Sequence, residues 1–309
     1  MEPARILKMS VENKYVIITP AYNEEEYIER VIESVICQSI VPLRWVIVDD
    51  GSTDNTKKHI QKFLADYEWI SYIRREKVPG HTYYGSNVYA ILDGIKEVIN
   101  VDYDYIAILD ADIILCDDYY EKILEKFKLY PELGVATGTY FEIVNGTRVE
   151  AKIDRMSTPK ALQVFKRKSY EKIGGYIPMK HGGEDSCAEV MVRMVGLQSW
   201  SFEEIIVEHL RPVGTRNSSA LLMARFKLGF TDYSIGTHPI FMLLKSVKRC
   251  VIEKPYLSSG AARFLGFIYG CIKREKRQVP DEVIAYLRKE QLSRLQKIIG
   301  IGKKLWRPL

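Results

Sequence analysis

The 309-residue chain is 47% hydrophobic and 28% charged, enough to bury a substantial core in one or two domains and to exclude a disordered chain. Its net charge of +5 hides an asymmetry. From Lys245 to Leu309, Lys and Arg outnumber Asp and Glu sixteen to five, a balance of +11 that leaves −6 for residues 1–244. Five scattered cysteines without a C-x-x-C pair exclude a zinc site and a disulfide framework, and fit reduced thiols in a cytoplasmic protein. Met1-Glu2-Pro3-Ala4-Arg5 leads into no signal peptide, and no charge-free window of about 18 apolar residues reads as a spanning helix.

In chain order, Tyr15–Thr19 reads as a buried strand that halts at Pro20-Ala21-Tyr22-Asn23-Glu24-Glu25. Asn23 is placed to cap the following helix, whose Val31, Ile32, Val35 and Ile36 recur at helical spacing. A second strand, Arg44–Val48, ends at Asp49-Asp50-Gly51-Ser52-Thr53-Asp54, where Ser52 or Asp54 can cap the next helix. A weaker strand near Trp69–Ile73 and a helix from about Gly85 to Ile99 follow. Then comes Tyr105–Leu109, a short apolar run that stops at Asp110-Ala111-Asp112. Residues two apart on an extended chain point the same way, so Asp110 and Asp112 can face one point and suit a hard divalent cation.

This strand–helix alternation predicts an α/β fold with a mostly parallel sheet flanked by helices, and ligands in such sheets collect at the carboxyl ends of the strands. All three polar clusters sit there. Capping and turn chemistry account for a lone Asn or Asp at such a position. They do not account for Asp49 beside Asp50 and a second carboxylate pair two strands on, which repel one another unless a cation or a donor-rich ligand lies among them.

Thr19-Pro20-Ala21-Tyr22-Asn23-Glu24, Asp49-Asp50-Gly51-Ser52-Thr53-Asp54 and Asp110-Ala111-Asp112 resemble, in order and spacing, the signature of family 2 glycosyltransferases with the Rossmann-like GT-A fold. The resemblance extends to about Leu210 and implies a nucleotide-diphospho-sugar donor. Pro20, Ala21, Tyr22 and Glu24 would line the nucleoside pocket, and Asp50 would bond the base, usually uracil. Asp112 would bind Mn²⁺ or Mg²⁺ on the diphosphate, with Asp110 nearer the ribose and sugar. The chain departs from the family pattern where an Ala-Arg-Asn-x-Gly run is expected. Gly85-Ser86-Asn87 stands there without the arginine, so Asn87 keeps its place and Lys77 or His81 is left to supply the basic contact.

Beyond Thr139 the periodicity turns irregular, as expected of a segment that shapes an acceptor site. Gly182-Gly183-Glu184-Asp185 opens a helix through Val190, Met191 and Met194, where either acid can serve as a cap. Similar Glu-Asp pairs in inverting family members carry the base on the second acid. The resemblance therefore assigns Asp185 to deprotonate the acceptor hydroxyl and Glu184 to orient the acceptor. His209, after the strand-like run Ile205–Val207, would complete the metal site, and Arg211 and Arg216 would close over the diphosphate.

From Ala220 onward helical segments dominate: Ala220–Phe230, Pro239–Cys250, Ala261–Ile272 and Asp281–Ile299. The chain is thus expected to comprise a GT-A catalytic domain, residues 1–217, with a donor half at about 10–140 and an acceptor half at about 141–217, followed by a basic helical extension, 218–309. That extension either packs on its own domain or lies in the plane of an anionic membrane surface, which would place the enzyme peripherally at the cytoplasmic face. No recognisable nucleic-acid-binding module accompanies the charge.

The resemblance implies an inverting transfer of a sugar from a nucleotide-diphospho-sugar, a UDP-sugar, to a hydroxyl of a glycan or lipid-linked acceptor in polysaccharide or glycoconjugate synthesis. A polyprenyl-phosphate sugar synthase shares the first three motifs, but its phosphate acceptor needs no base like Asp185. The intact acids oppose a non-catalytic nucleotide-sugar-binding protein, and the lack of G-x-G-x-x-G opposes a nicotinamide dehydrogenase.

Overall fold

The computed structural model describes residues 14–76, 82–144, 146–211 and 218–305. The chain divides into two compact units, Met1–Lys180 with Glu184–Pro212, and His181–Gly183 with Val213–Leu309.

The first unit opens with strand–helix alternation: β1 (Tyr15–Ala21), α1 (Ile28–Ile36), β2 (Arg44–Asp49), α2 (Thr56–Leu64), β3 (Ile70–Arg74), α3 (Tyr83–Glu97) and β4 (Tyr105–Ile108). These four strands pair in parallel in the order β3-β2-β1-β4. Their apolar runs are continuous because both faces are covered. Tyr15 and Ile17 of β1 pack with Ile28, Val31 and Ile32 of α1, while Val16 and Ile18 pack with Val88 and Ile91 of α3. A methyl group at Gly94 would come within 2.7 Å of Ile18 Cγ2 and 2.9 Å of Val48 Cγ2, so this glycine sets how closely α3 lies on the sheet.

The later elements depart from strict alternation. They are β5 (Ile113–Ile114), α4 (Tyr119–Leu129), β6 (Leu133–Val144), β7 (Thr147–Glu150), a 3₁₀ turn (Lys160–Leu162), β8 (Val164–Lys166), α5 (Arg167–Lys172), α6 (Glu184–Met194) and β9 (Gln198–His209). The sheet continues past β4 as β8-β6-β9-β5, with β7 paired to β6. The β4–β8, β8–β6, β6–β7 and β9–β5 pairs are antiparallel, and β6–β9 is parallel. The parallel expectation thus describes the first four strands, and the remainder makes the sheet mixed.

Two local expectations are corrected. Helix α1 starts at Ile28 with no side-chain cap, and Asn23 instead adopts a left-handed φ of 56°. Strand β4 ends at Ile108, so Asp110 precedes and Asp112 lies in a turn, and they are not two residues of one extended strand.

The second unit is helical, with α7 (Ser218–Ser234), α8 (Pro239–Ile252), α9 (Ser258–Lys273) and α10 (Asp281–Leu305). Helices α7 and α9 cross at bare backbone: a Cβ on Gly229 would lie 1.8 Å from the Arg263 carbonyl oxygen, and one on Gly266 would lie 1.9 Å from that of Phe226. Asp232 of α7 ties the helices together, accepting from Lys245 of α8 and Arg263 of α9 at 2.8 Å each. Burial pushes this carboxyl up, but the two cations outweigh it and hold it below its ordinary value. Among the described residues no helix is long and apolar enough to cross a membrane.

Candidate active site

The loops after β1 and β2 are laced together by their own polar groups. The Thr53 N–H donates to Asn23 Oδ1 at 2.8 Å, the Asn23 N–H to Ser52 Oγ at 3.0 Å, and the Glu24 N–H to Thr56 Oγ1 at 2.8 Å. Asn23 is therefore a cross-tie, and its left-handed backbone turns its amide toward Thr53. Asp54 meets the capping expectation in part, because its Oδ1 accepts from the Thr56 N–H at 3.0 Å, at the first residue of α2.

These loops wall an open cleft of about 400 Å³ lined by Pro20, Ala21, Tyr22, Glu24, Asp50, Asn87, Asp110, Ala111 and Asp112. Parallel register brings them there. Ala21 of β1 pairs with Asp49 of β2, the Asp50 N–H donates to the Ala21 carbonyl at 2.8 Å, and the Leu109 N–H donates to that of Ile18 at 3.1 Å.

The acidic strand ends are neutralised by the protein's own cations. Asp49, fully buried, accepts from Arg74 at 2.9 Å, from the Tyr72 hydroxyl at 2.7 Å and from the Ser52 N–H at 2.7 Å, and so braces the turn. Asp50 accepts from Arg75 at 2.6 Å and from Ser86 Oγ at 2.5 Å. Arg75 reaches on to Asp93 of α3 at 3.0 Å. Asp110 accepts from Lys160 at 3.0 Å, and the same ammonium donates to Asn87 at 2.7 Å. Arg75 and Lys160 thus supply basic contacts in the region where the family's arginine is missing. The predicted substitutes, Lys77 and His81, lie outside the described residues.

Asp112 meets His209 through strand pairing. Strand β5 begins immediately after Asp112 and runs antiparallel to β9, with Ile113 opposite His209, and the Leu210 N–H donates to the Asp112 carbonyl at 2.9 Å. His209 Nε2 lies 3.5 Å from Asp112 Oδ2. Parallel pairing of β9 with β6 sets Glu142 opposite His209, and Glu142 Oε1 lies 3.1 Å from Nδ1. Burial pulls the imidazole down, but Asp112 and Glu142 outweigh it and its pKa is raised. At Asp112 burial pushes the carboxyl up, yet the bond from His209 and the charges of His209, Arg211 and Lys160 hold it below its ordinary value. Arg211 sits at the same rim, 2.5 Å from Glu24 and 3.8 Å from Asp112. Burial, opposed by Arg211, pushes the Glu24 carboxyl up to about 7.

Glu184 and Asp185 form the first turn of α6, preceded by Gly182 and Gly183 at φ values of 75° and 98°. Glu184 is buried, and its Oε2 has no hydrogen-bond partner among the described residues. Burial, against the charge of Lys160, pushes it up to about 7. Asp185 is half-buried and accepts from the Ser186 N–H at 2.7 Å. Burial raises its pKa too, against that bond, the charge of Lys160 and the Lys160 backbone N–H. An N-terminal helical carboxylate made more basic by its surroundings is suited to accept a proton.

A family model described as Glycosyl transferase family 2 matches residues 16–184, more than half of the chain. The chain belongs to that family. Among curated relatives, poly-beta-1,6-N-acetyl-D-glucosamine synthase of Staphylococcus epidermidis is 28% identical over 167 residues, 53% of this chain and 38% of that protein. The Staphylococcus aureus (strain COL) protein of the same name is 31% identical over 146 residues, 47% of this chain and 33% of its own length. The aligned region therefore spans little more than a third of these relatives. Among solved structures, the mannosyltransferase PcManGT from Pyrobaculum calidifontis, in complex with GDP-Man and Mn²⁺, superposes with a TM-score of 0.58 at 14% identity, covering 86% of this chain and 89% of that one. S. aureus TarS 1–349 does so with a TM-score of 0.55 at 15% identity, covering 89% and 83%. These likenesses establish the GT-A fold.

In this family 2 glycosyltransferase, the sequence-predicted Pro20, Ala21, Tyr22, Glu24, Asp50, Asn87, Asp110 and Asp112 share one cleft. His209 and Arg211 meet Asp112 at its rim, whereas Arg216 lies outside the described residues. Arg211, expected over the diphosphate, pairs with Glu24 beside Asp112. Sequence reasoning missed Arg75, Lys160 and Glu142. Arg75 had a signal, standing at the carboxyl end of the third strand. Glu142 and Lys160 had none, because strand register and a 3₁₀ turn bring them in from an irregular stretch.

Proposed function

We propose that this chain is an inverting glycosyltransferase that moves a sugar from a nucleotide-diphospho-sugar, with UDP as the nucleotide, to a hydroxyl of a glycan or lipid-linked acceptor. The observation that carries this reading is the single cleft gathering Asp50, Asp110 and Asp112, with the Lys160 ammonium on Asp110 and the Lys160 backbone N–H on the Asp185 carboxylate. The similar structures of TarS in complex with UDP-GlcNAc and of GalNAc-T7 with UDP, GalNAc and Mn²⁺ support a UDP donor, and the likeness to poly-beta-1,6-N-acetyl-D-glucosamine synthase supports a polysaccharide product.

The donor set at Asp112 and His209 fits Mn²⁺ or Mg²⁺. A carboxylate oxygen and an imidazole nitrogen lie 3.5 Å apart, and the other ring nitrogen is held by Glu142, as the orientation of a ligating histidine requires. Among the described residues no three His, Cys, Asp or Glu gather into a complete site, so diphosphate oxygens would provide further ligands. Bound there, the ion would offset negative charge developing on the departing diphosphate.

Asp50, braced by Arg75 and Ser86, would hold the base, and Asp110, braced by Lys160, would hold the ribose or sugar. Asp185 takes the acceptor proton as the hydroxyl oxygen bonds to the anomeric carbon from the face opposite the diphosphate. The anomeric carbon–phosphate oxygen bond breaks in the same displacement, which inverts the centre. Glu184 beside it orients the acceptor. Asp185→Asn should lower turnover at least about 10²-fold, the low end of a positioned base's contribution, while UDP binding stays within about twofold. Unchanged turnover would refute the assignment.

A specific feature of the second unit supports peripheral attachment to an anionic membrane at its cytoplasmic face. Helix α8 exposes Ile240, Leu243, Leu244, Val247 and Val251 along one stripe. Between Pro239 and Lys276 the exposed charges are Lys248, Lys254, Lys273, Arg274 and Lys276. The two acids of that stretch are engaged, Glu253 with Arg225 and Arg249, and Glu275 with His181. An apolar stripe framed by cations matches an anionic headgroup layer, and all five cysteines are free, as a reducing compartment requires.

A further inference from the structure

Lys160 opens the 3₁₀ turn between β7 and β8, and both ends of the residue are engaged. Its Nζ donates to Asp110 Oδ1 at 3.0 Å and to Asn87 Oδ1 at 2.7 Å, while its backbone N–H donates to the Asp185 carboxylate. The side chain is only 14% exposed. The turn cannot drift from the end of β4, because the Asp110 N–H donates to the Ala161 carbonyl at 3.1 Å and the Ile108 N–H to that of Gln163 at 2.7 Å. Gln163 is fixed in turn, donating to the Thr158 carbonyl at 2.8 Å and accepting from the Tyr176 hydroxyl. One residue therefore spans from the carboxylate on the donor side to the carboxylate on the acceptor side.

We propose that Lys160 is a positioning residue that couples the two halves of the site, its ammonium group aiming Asp110 at the donor while its charge and its backbone N–H keep Asp185 ready to accept a proton. This rests on Asp185 as the base. Among the described residues, the groups that act electrostatically on Asp185 include Glu184, Cys187 and Glu189 on its own helix, Tyr140 from β6, Tyr176 from the segment after α5, and Lys160. Lys160 is the cation among them; Arg193 acts one turn farther on, at Glu189. Without Lys160, burial and the neighbouring acids act on Asp185 with that cation removed.

The test is a ¹³C-carboxyl titration of aspartate-labelled protein, with the Asp185 signal assigned by its loss in Asp185→Asn. It needs no substrate. In Lys160→Gln and Lys160→Met the Asp185 midpoint should rise by about one pH unit, the low end for an opposite charge within reach, and in Lys160→Arg it should stay near the wild-type value. UDP binding measured by calorimetry with Mn²⁺ should weaken in the neutral variants and recover in Lys160→Arg. A residue that only packs the turn would leave the midpoint where it is. Lys160→Gln keeps an amide that can donate to Asp110, which guards against a collapsed turn in Lys160→Met. An unmoved midpoint in the folded Lys160→Gln protein overturns the proposal. Full turnover by Asp185→Asn would instead overturn the base assignment, a separate and distinguishable failure.

Discussion

Arg75 offers the sharpest test of how the proposed donor cleft is held. Its guanidinium is 13% exposed and bridges Asp50, 6% exposed, at 2.6 Å and Asp93, 33% exposed, at 3.0 Å. Arg75→Met deletes both ion pairs, together with the bond to the Ser86 carbonyl, and among the described residues leaves buried Asp50 with Ser86 as its side-chain donor. Removing one partner of a buried pair costs about 3–5 kcal/mol, because the remaining charge is stranded. The Asp93 end, a third exposed, adds at most about 1 kcal/mol. Arginine's own desolvation is recovered on its removal, so the expected loss is about 3 kcal/mol. With a urea slope of about 3 kcal/mol/M, that moves the unfolding midpoint down by about 1 M. Tryptophan fluorescence is a suitable readout, since Trp45 and Trp69 stack at 6.3 Å on β2 and just before β3. Combining Arg75→Met with Asp50→Asn should restore more than about 1 kcal/mol, since the stranded charge is gone. UDP affinity should fall in both variants. If Arg75→Met costs under about 1 kcal/mol, or if the double variant shows no coupling, the claim that this pair organises the nucleoside pocket is wrong.

Glu142→Gln should weaken Mn²⁺ affinity by about 10–100-fold with UDP present, read as a shift of the Mn²⁺ titration midpoint in thermal unfolding; an unchanged midpoint would separate Glu142 from the metal. Glu189, buried and one helical turn on from Asp185, accepts from the backbone N–H and hydroxyl of Thr158, and is pushed by burial up to about 8. Because its folded pKa lies above the usual carboxylate value, its stabilising contribution is complete below about pH 4.5 and is lost as pH rises through about 8. Glu189→Gln should flatten that fall in chemical denaturation between pH 5 and pH 9, and an equally steep fall would count against it. For the second unit, Val247→Glu with Val251→Glu should cut co-flotation with anionic vesicles at least about tenfold without lowering the melting temperature. Equal flotation would remove α8 as the anchor.

Much of the parallel part of the sheet was legible because its physics is local. Tyr15–Ala21 and Arg44–Asp49 are buried on both faces, and such strands read as unbroken apolar runs that stop where the cleft begins. Gly182-Gly183 before Glu184-Asp185 marked the start of α6 for the same reason. What depends on partners distant in sequence stayed hidden. Asp49 and Asp50 are adjacent and alike in the sequence, yet one braces a turn through Arg74 and Tyr72 while the other lines the cleft. Their mutual repulsion pointed outward to a bound cation, whereas Arg74, Arg75 and Lys160 supply much of the compensation from within. Asn23 looked like a helix cap because capping is the common use of asparagine before a helix. Its partner Thr53 lies a whole strand–helix unit away.

The placement of His209 has a consequence for how this chain can change. The ring is aimed by two ladders at once, β6 on one side and β5 on the other, and the β6–β9 register already shifts between Thr137 and Thr139. Side chains alternate along a strand, so one added or lost residue between that irregularity and His209 would turn the imidazole to the opposite face of the sheet. Length in the last stretch of β9 is thus constrained more tightly than composition. A substitution there can be absorbed by repacking, but a single-codon insertion would separate the histidine from Asp112 and Glu142 together.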